Sequence, residues 1–464
     1  MKAILIDEIK NVLRAELKTD VHKGLITGVT IDSRTVGRGN LFVAIRGERF
    51  DGHDFVEEAA RRGAIAVVVE RNIPLPGPIK QEIAVLQVGD TVEALGRLAR
   101  FYRHDLCGSV NVVGVTGTNG KTTVREMIYQ VLSRTKKGSR SPHNFNNALG
   151  VPLTLFGIES DHEFAVVEIG TNAPGEVAAL SRMAEPDVAV ITQVGPSHLE
   201  GLKDVEGVSV EKVSIVAGLK DHGVLVCGTD HGPTLERVGA LGRHLITFGL
   251  EKDCDVYAEQ VRRDTDGVRF ITNDRCAVWL PMPGLHNVKN ALAALAVVRR
   301  LGVSSQAFAE AMRDFAPAPG RMVCRNVNGL TIIDDSYNAN PVSMASALEE
   351  LMHYPEARRR VLVVGDMCEL GESAGDYHEA LGREVVEQGV DMLLTVGPLG
   401  AQVAEASLAA GMGRGQTMRC KNSKRMARLI KSMLFNGDVV LVKGSHAMEM
   451  EKVITSLNRW KGGH

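Results

Sequence analysis

Residues 110–134 read VNVVGVTGTNGKTTVREMIYQVLSR. The opening is an apolar, β-branched run that fits a buried strand. The close is a helical pattern, and between them lies a short glycine-bearing turn. A strand–turn–helix of this kind puts free backbone N–H groups and a helix N-terminus in front of an anion. Gly117, Thr118, Asn119, Gly120, Lys121, Thr122 and Thr123 are therefore the expected cradle for a nucleoside triphosphate. Lys121 would reach the terminal phosphates, and the Thr122 hydroxyl is placed to hold Mg²⁺. The strict GxxxxGK[ST] spacing is not met, because position 115 is Val and the nearby glycines stand at 114 and 117. A fortuitous GKT in a turn is the bland alternative, and the strand–turn–helix context weighs against it.

The pattern repeats outward from this unit. FAVVEIG, DVAVITQVG and GVLVCG are apolar runs ending at a polar residue or glycine, each followed by a helical pattern, as in a mostly parallel sheet. Residues 250–283 alternate instead, which predicts antiparallel strands at one edge, and ALAALAVVRRLG follows as a long apolar helix. Before this block, residues 1–107 combine short β-rich runs with a helix feeding the strand AIAVVV, and a second helix is expected near Thr91–Tyr102. After it, the Pro/Gly-rich FAPAPGR reads as a linker. The strands LTIIDDS, RRVLVVGD, MLLTVG and DVVLVKGS then alternate with helices at Pro341–Met352, Tyr377–Gln388, Gly400–Ala410 and Ser423–Leu434. The expectation is an α/β chain of three domains, 1–107, 108–316 and 317–464, the last a doubly wound unit.

Length agrees with that division: 464 residues is about three times the common domain size of about 150. Lys and Arg total 54 against 56 Asp and Glu, a formal charge of −2, so the usual electrostatic reason to expect nucleic-acid binding is missing. Glycine, at 48 residues, exceeds the average share of roughly 7%, in keeping with many tight turns or close ligand approaches. The seven cysteines are scattered, without CxxC or zinc spacing, which suits a reducing, cytoplasmic compartment. MKAILIDEIKNVLRAEL lacks the apolar core of a signal peptide, and no window approaches a membrane span. No GxGxxG follows any strand, so an oxidoreductase reading has no support.

Other polar residues fall at strand ends, the edge where parallel sheets bind ligands. Glu168 ends FAVVE and His198 follows VAVITQVG; together they could hold a metal ion or orient a water, and separately they could cap a turn and start a helix. Lys212, within GVSVEKVSIVAGL, reads from the residues alone as an ordinary solvated lysine, with Val208, Ile215, Val216 and Leu219 facing inward. In DDSYNANP, Asp334 and Asp335 could accept ribose hydroxyls and Asn338 and Asn340 could donate to a substrate, or the run could be the entry turn of a helix at Pro341. Asp366, Lys443 and Ser445 also follow strands directly.

Taken together, these runs resemble the ATP-dependent Mur ligases of peptidoglycan synthesis over essentially the whole chain. The likeness rests on DSRTVGRGNLFVAIRGERFDGHDF, GVTGTNGKTT, NFNNALGVPLTL, VEIGTNAPGEV, HLEG, GLHNVKNALAA, APGRM, IDDSYNANPVSM, GDMCELG and VLVKGSHAMEM. It implies a central phosphate-loop domain for ATP, an N-terminal domain for the UDP end of a substrate, and a C-terminal Rossmann-like domain that closes over both. By resemblance, Asp32, Ser33 and Arg34 would lie near the uridine nucleotide, and Asn144, Asn146 and Asn147 on the muramyl-peptide side. Asn287 and Asn290 would meet adenine, Arg321 phosphate, and Asp335 the ribose.

The family pattern makes Lys121, Glu168, His198 and Lys212 the catalytic group. It places a pair of Mg²⁺ ions on Thr122, Glu168, His198 and a carbamylated Lys212. Sister ligases carry a lysine where this chain has Tyr337, so no phosphate-contacting lysine is expected there. SPHNF replaces a more usual glycine-bearing sequence, and no DNPR run occurs, which argues against addition of a third amino acid. The branch implied joins D-alanyl-D-alanine to UDP-N-acetylmuramoyl-tripeptide through an acyl phosphate, as a cytoplasmic monomer. A sister amino-acid ligase, including folylpolyglutamate synthase, and an unrelated phosphate-loop hydrolase are the alternatives.

Overall fold

A computed structural model describes residues 1–462. Its centre is the strand Asn111–Thr116, paired in parallel with Phe164–Glu168 on one side and Val188–Ile191 on the other. From this strand the chain first builds one flank of the sheet, through Gly138–Arg140 and Phe164–Glu168. It then crosses back to build the other, through Val188–Ile191, Val224–Gly228 and His244–Gly249. Where connections diverge in this way a crevice opens at the carboxyl ends of the strands. The turn at 117–120 sits in that crevice. The expected antiparallel edge is present as Val256–Asp264, Gly267–Thr272 and Ala277–Leu280, which complete a nine-stranded sheet.

Both faces of the central strand are buried because helices cover both. Lys121–Leu132 packs against Leu285–Arg300, so that Val113, Val115, Ile128 and Leu292 share one apolar cluster. Val112, Val167 and Leu180 face the other way and join a cluster that includes Leu95 and Leu98 of the helix Thr91–Phe101. Each such fully buried side chain is worth about 1.5–3 kcal/mol relative to exposure.

The two flanking sheets follow the same logic. A five-stranded sheet runs Glu16–Leu17, Ala84–Gln87, Ala64–Val69, Asn40–Val43, Gly28–Thr30 in spatial order, parallel except at its first pair. A six-stranded sheet runs Val323–Val327, Leu330–Asp335, Val439–Lys443, Arg360–Gly365, Met392–Val396, Thr417–Cys420, again antiparallel only at its first pair. This is an α/β architecture of three domains. Among the described residues no helix is long and apolar enough to cross a membrane.

Two local expectations shift. The helix from Thr91 gives way at Tyr102 to a wider π turn over Tyr102–Leu106, in which the Cys107 N–H bonds the Tyr102 carbonyl. The wider turn accompanies the inward placement of Arg103, whose buried guanidinium donates to the carbonyls of Ala184 (3.0 Å) and Cys107 (2.6 Å) and to Asp187 (3.1 Å). The helix from Ser423 ends at Leu429 and tightens into a 3₁₀ turn through Ser432.

The junction with the C-terminal domain is different in kind. Phe315–Met322 has neither helix nor strand, and the two domains also meet through the backbone bond from Glu200 N to the Glu369 carbonyl (3.3 Å). Arg263, on the hairpin edge of the central sheet, reaches Glu349 (2.5 Å) and the buried Glu350 (2.8 Å) on the helix Pro341–Met352.

Candidate active site

Gly120 stands in the left-handed region (φ +85) at the start of the helix Lys121–Leu132, and a Cβ there would run into the Asn290 carboxamide oxygen. Only glycine fits such a position at no cost. The loop is tied down by Thr118, whose hydroxyl donates to the Gly195 carbonyl (3.0 Å), and by Thr192, which donates to the Asn119 carbonyl (2.5 Å). Lys121 Nζ folds over the loop and donates to the carbonyls of Gly117 (2.7 Å) and Thr118 (3.0 Å). Desolvation among these atoms, with Arg321 nearby, pushes its ammonium down to about 8.

A helical turn beyond Lys121, Arg125 is buried and donates to Glu168 (2.9 Å) and to the His143 carbonyl (2.6 Å). Glu168, at the end of the neighbouring strand, also accepts from Thr122 (2.9 Å) and Asn146 (3.0 Å). Thr122 accepts in turn from Arg321 Nη2 (2.9 Å). The expected loop, carboxylate, asparagine and arginine therefore meet. Arg125 is the addition: its spacing of four from Lys121 on one helix face was the available signal.

His198 begins the helix Leu199–Leu202 in a left-handed conformation (φ 52), and its Nδ1 lies 2.5 Å from Glu369 of the C-terminal domain, itself left-handed (φ 64). Glu369 lies in the GDMCELG run, yet nothing local in that run points to His198. Lys212 corrects the solvated reading: it is fully buried in the helix Val205–Val213, and its Nζ has no hydrogen-bond partner. Burial, with Lys121 nearby, holds the amine well below the usual lysine range.

One cleft of about 900 Å³ is lined by Thr118–Thr123, Glu168, His198, the asparagines at 144, 146, 147, 287 and 290, and the C-terminal Arg321, Asp335, Asn338 and Asn340. Within it Asn147 caps the helix Gly150–Phe156 by accepting from Gly150 N (2.9 Å). Asn287 donates to the Pro283 carbonyl (2.7 Å) and accepts from Asn290 (3.2 Å). Asp335 pairs with Lys443, and Asn338 accepts on its carbonyl from the same lysine (3.0 Å). Asn340 caps the helix Pro341–Met352 and bonds Asn119. Gly117 lies under the Lys121 ammonium. Asp32, Ser33 and Arg34 are not among the lining residues. They form a turn of the N-terminal domain in which Asp32 caps Arg34 (3.0 Å) and pairs with its guanidinium, holding the carboxyl down at about 2.

A phosphate loop at a switch point, faced across one cleft by a third domain and reached by an arginine from the connector between them, suits an ATP-dependent ligase, and the chain belongs to the Mur ligase family. Residues 25–103 match the model of the Mur ligase family catalytic domain, 115–298 that of the Mur ligase middle domain, and 320–446 that of the Mur ligase glutamate ligase domain. The chain is 35% identical over 435 residues to UDP-N-acetylmuramoyl-tripeptide--D-alanyl-D-alanine ligase of Bacillus subtilis (strain 168), covering 93% of each. It superposes on crystalline MurF from Acinetobacter baumannii with a TM-score of 0.89 at 31% identity, covering 99% of each chain. With MurF ligase from Thermotoga maritima in complex with ADP the TM-score is 0.82 at 29% identity, over 93% of this chain and 97% of that one.

Proposed function

We infer that this chain joins D-alanyl-D-alanine to UDP-N-acetylmuramoyl-tripeptide, with ATP converted to ADP and phosphate, in peptidoglycan precursor synthesis. The observation that carries the reading is the single cleft in which phosphate loop, asparagine loop and C-terminal strand ends face one another. The near-full-length relatives of that name support the choice of amine and acid.

A carboxylate does not condense with an amine at neutral pH, because its oxygen is too poor a leaving group. ATP on the loop at 117–123 supplies the remedy. The tripeptide's terminal carboxylate oxygen attacks the γ-phosphorus, the bond to the β-phosphate oxygen breaks, and ADP leaves. The amine of D-alanyl-D-alanine, having lost its proton, then attacks the acyl carbon; an amide forms and inorganic phosphate departs. Negative charge gathers on phosphoryl oxygens in both steps, and Lys121 and Arg321 stand where they would counter it. Closure of the C-terminal domain keeps water from the acyl phosphate, which would otherwise hydrolyse.

The donor set fits Mg²⁺: a hydroxyl and a carboxylate, Thr122 and Glu168, lie 2.9 Å apart on the cleft wall, and hard oxygen ligands of this type suit the ion. Lys212 fits carbamylation. A buried amine with no partner and a depressed affinity for protons is the neutral nucleophile that adds to CO₂, and the product gains the acceptor oxygens that the site wants. Thr122, Glu168, His198 and carbamylated Lys212 would hold the metal, which when bound neutralises the phosphate oxygens. Asn287, Asn290 and Asp335 would take the adenosine, Asn144, Asn146 and Asn147 the muramyl peptide, and Asp32, Ser33 and Arg34 the uridine end, while Asn338 and Asn340 would contact substrate, with domains bounded near 107 and 317. Seven free cysteines support a cytoplasmic setting.

The test is a panel of amines with UDP-muramyl-tripeptide and ATP. Phosphate release that depends on D-alanyl-D-alanine is expected; release driven by an L-amino acid, or by no amine, would overturn the reading.

A further inference from the structure

Arg321 lies in the segment that joins the central and C-terminal domains, yet its guanidinium is held at two points. Nη2 donates to Thr122 on the phosphate-loop helix (2.9 Å), and the guanidinium carbon sits 4.2 Å from the centre of the Tyr337 ring. The same ring also meets His446, at 5.5 Å between centroids and tilted by 34°. The backbone closes the arrangement from the side. Tyr337 N donates to the Gly320 carbonyl (3.1 Å), and a Cβ on Gly320 (φ +73) would approach Tyr337 N to 3.0 Å, so glycine is what allows the connector to lie against the tyrosine. All four residues, Gly320, Arg321, Tyr337 and His446, line the cleft.

An arginine outside helix and strand has several rotamers, and ordering it at the moment of binding costs affinity. A guanidinium laid on an aromatic face is attracted by the ring quadrupole, by about 0.5 kcal/mol when exposed and 2 or more when desolvated. We propose that Tyr337, with His446 against it, is a positioning residue that holds the Arg321 guanidinium at Thr122 before the nucleotide arrives. A lysine at 337 would repel Arg321; a tyrosine instead turns that position into a platform for a cation supplied from the connector. The proposal rests on the ATP reading of this cleft and adds to it the means by which the arginine is set.

The experiment is a double-mutant cycle in the full-length chain, read as the dissociation constant of AMP-PNP with Mg²⁺ by calorimetry, with KM for ATP and kcat measured alongside. Tyr337→Phe keeps the ring and is expected to bind within about twofold of the parent. Tyr337→Leu, and Tyr337→Met as a second replacement should Leu fail to fold, are expected to weaken binding by about threefold to thirtyfold, chiefly through KM. Adding either to Arg321→Ala is expected to cost nothing further, because the ring then has no cation to hold. Unchanged binding in the ring-less variants would overturn the proposal, and so would losses that multiply in the double variant, since a tyrosine contacting nucleotide directly gives that result. A parent chain that binds no AMP-PNP would instead overturn the nucleotide reading, so the two failures are distinguishable.

Discussion

Asn119 of the phosphate loop and Asn340 of the C-terminal domain exchange side-chain amide hydrogen bonds in both directions, at 2.8 and 3.2 Å. Asn340 also caps the helix Pro341–Met352 through Ser343 N (2.9 Å), so one carboxamide starts a helix and bridges the cleft. The two roles separate by substitution. Asn340→Ser keeps a capping oxygen but is too short for Asn119, and is expected to lower kcat/KM for ATP while thermal stability stays near the parent's. Asn340→Ala loses the cap as well and should unfold about 1 kcal/mol more readily. Equal thermal stability in the two variants would argue against the division.

Lys121→Ala removes the cation that the loop folds around. Loss of one preorganised charge contact to the transferring group is expected to slow D-alanyl-D-alanine-dependent phosphate release by about 10²-fold or more. Turnover close to the parent's would place the phosphates elsewhere.

Lys212→Ala is expected to be almost inactive, yet partly restored by added short carboxylates, which can enter the space the side chain leaves and supply the oxygens of a carbamate. Full activity without rescue would show that no modified lysine is needed.

His286 lines the cleft, and burial pushes its imidazole down to about 4, against about 6.5 in an unfolded chain. Between those values the unfolded chain holds a proton that the folded chain does not, so stability rises with pH there and is lost on acidification from 6.5 downward. By pH 5 the loss amounts to about 1–2 kcal/mol. Thermal melts across pH 5–6.5 should fall more steeply for the parent than for His286→Gln; parallel slopes would be contrary to expectation.

Much of this was legible in the sequence because it is local. A strand, turn and helix within 110–134 locate the phosphate loop, and the change from continuous apolar runs to alternation near 250 marks the antiparallel edge. Glu168 and Arg321 were reachable from motif position. Lys212 was reachable as a site residue by the same resemblance, but its burial was not: on a helix whose other residues read as amphipathic, nothing in the spacing says that the lysine's face is also covered, and only the packed structure shows it. The clasps were invisible for a different reason. Asn119 and Asn340 are 221 residues apart, and His198 and Glu369 are 171 apart, so each pair is made by domain packing alone.

The loop at 117–123 also holds its own cation in place. With two of its three N–H groups given to the carbonyls of Gly117 and Thr118, the Lys121 ammonium keeps the third for an incoming phosphate oxygen. The backbone thus fixes where the positive charge stands, so a ligand meets a cation already aimed.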